Sequence, residues 1–327
     1  MIKVGIIGCG FMGTMHANCY KNIEGAEIVA LADIRKEKAE ELKNGTNAVI
    51  YGDGIELIEN ADVDVIDICL PTYLHAKYAL MAMDKVKYVF VEKPVALTVM
   101  EANALIEKSA KTGAQVQVGQ VIRFWDEYVE LKKIIASEKY GKVINANFRR
   151  LSPRPLWGYE NWLLNSELSG GAGQDLHIHD VDYVLSVFGK PETFYSVKNA
   201  IGETNSYVAT VLKYNDMAVS VEGTWDLPQS YPFTATFRVV FEKAVVENAG
   251  GKLMLYTDEG ASQIVIEKQN VLGEGYKGGN VSDLGGYYNE LVYFCDKASK
   301  GEKIEKATVV DGVSSLEFLM KELAFKG

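Results

Sequence analysis

Cysteine is scarce in this 327-residue chain, and Cys9, Cys19, Cys69 and Cys295 form no C-x-x-C pair and no framework spacing. That excludes a disulfide scaffold and leaves four reduced thiols. No apolar run reaches the length of a transmembrane helix, so no membrane role is expected. Basic clusters are missing as well. With 34 Lys and Arg against 44 Asp and Glu, the net charge of −10 argues against a nucleic-acid partner. Internal repeats and low-complexity segments are absent. No leader precedes the first strand, which begins at residue 2, and a cytoplasmic protein is expected. The sequons Asn44-Gly45-Thr46 and Asn280-Val281-Ser282 carry no meaning without secretion.

What is present begins with a β-branched run, Ile2, Val4, Ile6 and Ile7, that reads as a buried parallel strand. It runs into Gly8-Cys9-Gly10-Phe11-Met12-Gly13, a G-x-G-x-x-G turn. Gly8 permits the tight turn, Gly10 lets a pyrophosphate approach the backbone, and Gly13 lets the next helix pack closely. That helix runs through Met15 to Tyr20 and points its amide N–H groups at the phosphates. A second apolar run, Ile28 to Ala32, ends in Asp33, about twenty residues beyond Gly13, where a carboxylate accepts hydrogen bonds from ribose hydroxyls. Asp33 favours NAD over NADP, while Arg35 offers a partner for a 2′-phosphate.

The length suggests two domains, placed at 1–121 and 122–327. Through residue 120 strands and helices alternate. Strands are expected at 49–51, 65–70, 88–91 and 115–119, and helices at 36–42, at 54–59, around His75 and Tyr78, and from Thr98 to Lys111. Thr98 and Glu101 form a capping box. This alternation specifies a doubly wound α/β parallel sheet. A helix near 124–137, a strand at 143–151 and an irregular loop, 152–169, follow. The Gly170–Asp180 segment opens an amphipathic helix ending at Phe188. Strands at 193–200, 206–214, 217–225, 233–241, 244–248, 252–257 and 263–268 form an open, mostly antiparallel sheet, and helices at 284–299 and 306–324 end the chain.

Ligands of an open α/β sheet lie outside the carboxyl ends of its strands, which makes Gly8–Gly13, Asp33, Pro71, Thr72, His75, Glu92 and Lys93 site candidates. Pro94 confines Lys93 to extended geometry. A second constellation holds Asp175, His177, His179, Asp180 and Asp182, with two of the chain's four histidines. It is open to three readings: a metal site, a structural helix start capped by Asp175, or an acid/base pair of Asp175 and His179. Regular helical spacing puts 175 and 179 on one face and turns 177 away, which disfavours a metal. Trp157, Tyr159, Trp162 and Tyr128 either stack on sugar faces or fill a domain interface. Arg123, Arg149, Arg150 and Arg154 either recognise an anionic group or serve structure.

These motifs resemble the glucose-fructose oxidoreductase / inositol dehydrogenase / MocA family of NAD(P)-dependent sugar oxidoreductases. Gly8–Gly13, Glu92-Lys93-Pro94 and Gly170-Gly171-x-x-x-Asp175-x-x-x-His179-x-x-Asp182 carry the resemblance, and Pro71-Thr72-x-x-His75 resembles the segment beside the nicotinamide. The resemblance implies a Rossmann domain, a second domain whose sheet makes dimers or tetramers, and Lys93, Asp175 and His179 around a substrate carbinol between the domains. The implied reaction moves a hydride between nicotinamide and a secondary alcohol of a sugar or cyclic polyol, with Lys93 or His179 as base. A retained-cofactor elimination or epimerisation and a non-catalytic sugar sensor are the rival readings.

Overall fold

The computed structural model describes residues 1–201, 204–249, 251–266 and 284–326. They form two compact units, Met1–Phe124 with Gln269–Ser314, and Trp125–Lys268 with Ser315–Gly327.

In the first unit strands and helices alternate: β1 (Ile2–Ile7), α1 (Phe11–Tyr20), β2 (Ala26–Ala32), α2 (Lys36–Lys43), β3 (Val49–Tyr51), α3 (Gly54–Asn60), β4 (Val65–Ile68), α4 (Thr72–Lys85), β5 (Tyr88–Glu92), α5 (Val99–Thr112) and β6 (Gln115–Gly119). The strands order as β3-β2-β1-β4-β5-β6, all parallel. This is the doubly wound sheet that the alternation specifies, with its order reversing at β1 and β4. Every residue of β4 and β5 is buried, as expected of strands covered on both faces. The capping box on α5 forms as expected: Thr98 Oγ1 accepts from the Glu101 amide at 3.2 Å and Glu101 Oε2 from the Thr98 amide at 3.0 Å.

In the second unit the elements are α6 (Asp126–Ser137), β7 (Val143–Pro153), α7 (Ser166–Ser169), α8 (Ile178–Phe188), β8 (Thr193–Ile201), β9 (Thr204–Lys213), β10 (Ala218–Leu227), β11 (Thr234–Phe241), β12 (Val245–Ala249), β13 (Lys252–Thr257) and β14 (Gly260–Gln263). The eight-stranded sheet runs β14-β13-β12-β11-β7-β10-β9-β8, antiparallel except where β7 meets β10. Its centre is aromatic: Tyr128 lies 4.8 Å from Tyr183 and 5.0 Å from Phe237 between ring centroids. The Tyr183 hydroxyl donates to the Tyr128 carbonyl at 2.6 Å.

Two helices close the chain, α9 (Gly285–Lys300) in the first unit and α10 (Val309–Ala324). The sequence division at 121/122 put α9 with the second sheet. Its Tyr287 and Phe294 rings instead pack near His16 and Phe90 of the first. The expected start of α10 at 306 moves to Val309, because Thr308 caps it: its hydroxyl accepts from the Asp311 amide at 3.1 Å. The strand expected at 263–268 falls at Gly260–Gln263, pairing antiparallel with β13 across a tight turn. Residues 264–266 are outside any strand, and 267, 268 and the Asn280 sequon lie outside the described residues. The loop 152–169 is partly helical, with a 3₁₀ segment at Tyr159–Leu164 followed by α7.

Candidate active site

The glycine turn follows β1 directly. Gly8 has φ +96°, and a Cβ there would stand 2.5 Å from the Cys69 carbonyl oxygen. A Cβ on Gly13 would stand 1.9 Å from the Gly8 carbonyl oxygen, so close packing of α1 on the turn requires glycine. Gly10 differs: an added Cβ would meet Arg35 alone, at 3.6 Å. The fold itself does not require glycine at 10, which fits a position kept bare for a ligand's approach. The first turn of α1 holds no acidic side chain and no side chain caps it, and Phe11 and Met12 are half-buried.

Asp33 ends the second run as expected and is nearly buried. Its Oδ2 accepts the Cys9 amide and its Oδ1 the Arg35 amide, each at 2.8 Å. The Arg35 guanidinium turns back onto the same carboxylate, 3.3 Å from each oxygen. Its charge is thus partly balanced by Asp33, and the two residues together fit ribose hydroxyls better than a 2′-phosphate. These features fit a dinucleotide: bare backbone at Gly10, an uncapped helix N-terminus, and a carboxylate at the end of β2.

Pro71 and Thr72 open α4, and Thr72 is buried. His75 is 1% exposed, and its ring nitrogens lie 2.7 Å from the Leu70 and Pro94 carbonyl oxygens. Burial pulls its pKa below the ordinary value, against the opposing effect of those two carbonyls. The ring therefore spans the loops after β4 and β5, on the backbone that carries Lys93. Lys93 is half-buried, precedes a cis peptide to Pro94, and donates its amide to Glu92 Oε2 at 3.0 Å. Arg123 sits on a 3₁₀ turn after β6, its guanidinium 3.4 Å from Asp311.

In the second unit the Gly-rich segment departs from a regular helix. Gly173–His177 forms one π turn before α8 begins at Ile178. Asp175 lies inside this π turn, which closes i to i+5, and His179 stands in the first turn of α8. The segment is closely packed. A Cβ on Gly173 would lie 2.9 Å from Leu323, and one on Gly223 of β10 would lie 2.8 Å from the His177 Cβ. His177 is fully buried, 3.6 Å from the buried Glu322, whereas Asp175 is half-buried and His179 is 8% exposed. Asp180 pairs with Arg150 through two contacts, 2.8 and 3.2 Å, and Asp182 accepts the Ser315 hydroxyl at 2.7 Å. Arg150 is thus structural, and so is Tyr128, which is 0% exposed. Trp162 packs on the cluster of Leu163, Ala172, Leu176 and Trp225, while Trp157 and Tyr159 remain exposed.

One group was passed over in the sequence. His16 of α1 is fully buried, its Nδ1 2.8 Å from Asp67 Oδ2 and 3.2 Å from Cys69 Sγ. Among the described residues, these three side chains have ligand atoms close enough to share a cation. Ligands about 2.1 Å from a tetrahedral ion stand about 3.4 Å apart, so the 2.8 Å contact is a shared proton. The signal was legible: Asp67 interrupts an otherwise apolar strand.

The family model described as an oxidoreductase family with an NAD-binding Rossmann fold matches residues 2–120. The GFO/IDH/MocA C-terminal domain model matches residues 128–247. Over 192 residues the chain is 30% identical to the myo-inositol 2-dehydrogenase of Thermotoga maritima, covering 58% of this chain and 55% of that one. Over 214 residues it is 32% identical to the inositol 2-dehydrogenase of Salmonella typhimurium, covering 64% of this chain and 61% of that one. The matched stretch therefore spans less than two thirds of either relative. A levoglucosan dehydrogenase solved with NADH and levoglucosan superposes with a TM-score of 0.82 over 99% of this chain and 97% of its own, at 20% identity, a likeness of fold.

Proposed function

The chain belongs to the glucose-fructose oxidoreductase / inositol dehydrogenase / MocA family, its first unit is an NAD-binding Rossmann domain, and from that premise we propose an NAD-dependent dehydrogenase of cyclic polyols or sugars. One observation carries the reading: Lys93, Asp175 and His179 all stand within the two segments that match the family. The inositol specificity of two relatives and the anhydrosugar ligand of a structural neighbour share a secondary alcohol on a rigid ring, and this supports the substrate class.

Bound at Gly8–Gly13 and Asp33, NAD supplies a hydride acceptor at C4 of its nicotinamide. Phe11, Met12, Arg35, Pro71, Thr72, His75 and Glu92 complete its surroundings or hold the backbone around it. His179 takes the proton of the substrate hydroxyl. The Lys93 ammonium donates to the same oxygen and stabilises the negative charge that develops there. Asp175 orients the ring by accepting from a neighbouring hydroxyl. Arg123, Tyr159 and Trp162 contribute to substrate recognition. The open face of the eight-stranded sheet, where Tyr195, Val197 and Val211 are exposed, serves dimer or tetramer formation. Four free, buried thiols suit a reducing, cytoplasmic setting.

The test is nicotinamide absorbance with NAD or NADP against inositols, aldoses, sugar acids and anhydrosugars. Lys93→Ala is expected to lower turnover by at least ~10²-fold with NAD affinity retained. Near-normal turnover in that variant removes Lys93 from the chemistry. NAD binding without turnover of any ring alcohol would reject the dehydrogenase.

A further inference from the structure

The buried His16 cluster touches the backbone of Lys93 through one intermediary. His16 Nδ1 meets Asp67 Oδ2 at 2.8 Å on β4, and its Nε2 stands 3.1 Å from Glu92 Oε1 at the end of β5. The other oxygen of Glu92 accepts the Lys93 amide at 3.0 Å. Room for this carboxylate is made by Gly119 of β6, where an added Cβ would stand 3.0 Å from it. Asp67 bonds Nδ1, while Nε2 and Glu92 Oε1 stand at ion-pair distance outside hydrogen-bond geometry, and two carboxylates on opposite edges of the ring favour its positively charged form.

We propose that His16 is a positioning residue: its imidazolium, anchored by Asp67, holds the Glu92 carboxylate, which in turn holds the Lys93 amide in place. The consequence for turnover rests on the role of Lys93 given above. The chain of contacts joins the helix that opens the dinucleotide turn to the lysine assigned to the reacting oxygen.

Stability alone does not account for the arrangement. Three ionisable groups buried together cost desolvation that well-packed apolar side chains of the same volume would avoid. Burial is the largest single influence and works against a charge on His16, but Asp67 and Cys69 together outweigh it and the pKa stays well above the ordinary value. The titratable groups that act on the ring or on its neighbours are Asp67 on β4 and Cys69 just after it, Glu92 on β5, Cys19 and Tyr20 on α1, and Tyr287, Glu290 and Cys295 on α9. Burial pushes the Cys19 and Cys295 thiols up to about 12 and the Cys69 thiol and Tyr20 hydroxyl up as well, so these four are neutral near pH 7.

Three readouts on the full-length, NAD-bound protein test this. Side-chain ¹⁵N–¹H correlation spectra at pH 8, assigned with His16→Gln, are expected to show both His16 nitrogens protonated; a neutral tautomer overturns the proposal, and this readout on the unmutated protein does not require the variant to be active. Amide exchange is expected to quicken at Lys93 by ~10-fold or more in His16→Ala, with Val89 and Val91 unchanged. His16→Gln keeps a donor towards Glu92 and is expected to recover most of that protection. Exchange that is unchanged at Lys93, or that rises evenly along β5, overturns the proposal. Where a ring alcohol is turned over, kcat in His16→Ala is expected to fall by ~10-fold or more, with KM and NAD affinity within about 3-fold and partial recovery in His16→Gln. An unchanged kcat overturns the proposal and leaves the dehydrogenase standing. Absence of turnover in the unmutated protein rejects the dehydrogenase, and the spectra and exchange still decide the network.

Discussion

Within the six-stranded sheet β4 and β5 are buried residue by residue, whereas in the eight-stranded sheet β9 alternates, with Val208, Thr210 and Leu212 inside and Val211 and Lys213 outside. The first arrangement leaves the polar groups among its strands only other protein groups to meet. Asp67 does so by bonding His16, and Glu92 stands at ion-pair distance from the same ring. The second arrangement can send polar residues to the outer face, yet it sends Tyr195, Val197 and Val211 there too, at 57%, 46% and 49% exposure. Apolar residues on an outer face mark a surface to be covered, while charged residues among buried strands mark a cluster whose members must meet one another.

The sharpest break of this contrast is in the glycine turn of the closed unit. Gly13→Ala places a methyl 1.9 Å from a carbonyl oxygen, and we expect NAD binding to vanish with a marked fall in melting temperature. Gly10→Ala meets only a side chain at 3.6 Å, so its melting temperature should match the parent while NAD affinity drops by ~10-fold or more, about 1.4 kcal/mol. Calorimetry and cofactor titration separate the two.

Next comes Asp67→Ala, which leaves His16 facing Glu92 without its anchor. Removing one member of a buried ion pair costs about 3–5 kcal/mol, read as a shift of the urea midpoint. A cost below about 1 kcal/mol would show that the closed unit tolerates unpaired polar groups as the open one does.

The pH dependence is smaller. The pKa of His16 is raised on folding, so its contribution is complete below its unfolded pKa of about 6.5 and is lost as pH climbs through the folded value. Stability should therefore decline from neutral into alkaline pH, and His16→Gln should flatten that part of the curve. Stability that rises over this range would reject the charged ring.

The mildest effect is expected on the outer face of the second sheet. Val211→Ser should change unfolding by less than about 0.5 kcal/mol but reduce self-association in sedimentation. Unaltered association would leave that face without the assembly role proposed for it.

Much of the first unit is legible because its signals are local. The spacing of Gly8, Gly10 and Gly13, Asp33 at the end of a β-branched run, and the Thr98–Glu101 box each act within one turn or one strand. The second site was read less well. Regular helical spacing describes Asp175, His177 and His179 incompletely, because Gly173–His177 is a π turn in a segment that Leu323 and Gly223, distant in sequence, approach closely. His75 looked like a cofactor contact, yet both its nitrogens meet backbone carbonyls, one of them nineteen positions away. Arg150 was open between ligand and structure until Asp180 appeared beside it.

The sequence by itself determined the alternation of strands and helices, the glycine turn, the carboxylate that follows β2 and the family motifs. Each depends on backbone freedom, side-chain branching or periodicity within a short window. Only the tertiary structure decided that α9 joins the first unit, that Asp175 lies in a π turn and His179 in the helix after it, and that His16, Asp67 and Glu92 meet. Those outcomes depend on which distant surfaces pack together, and on burial that makes an unpaired charge too costly to keep.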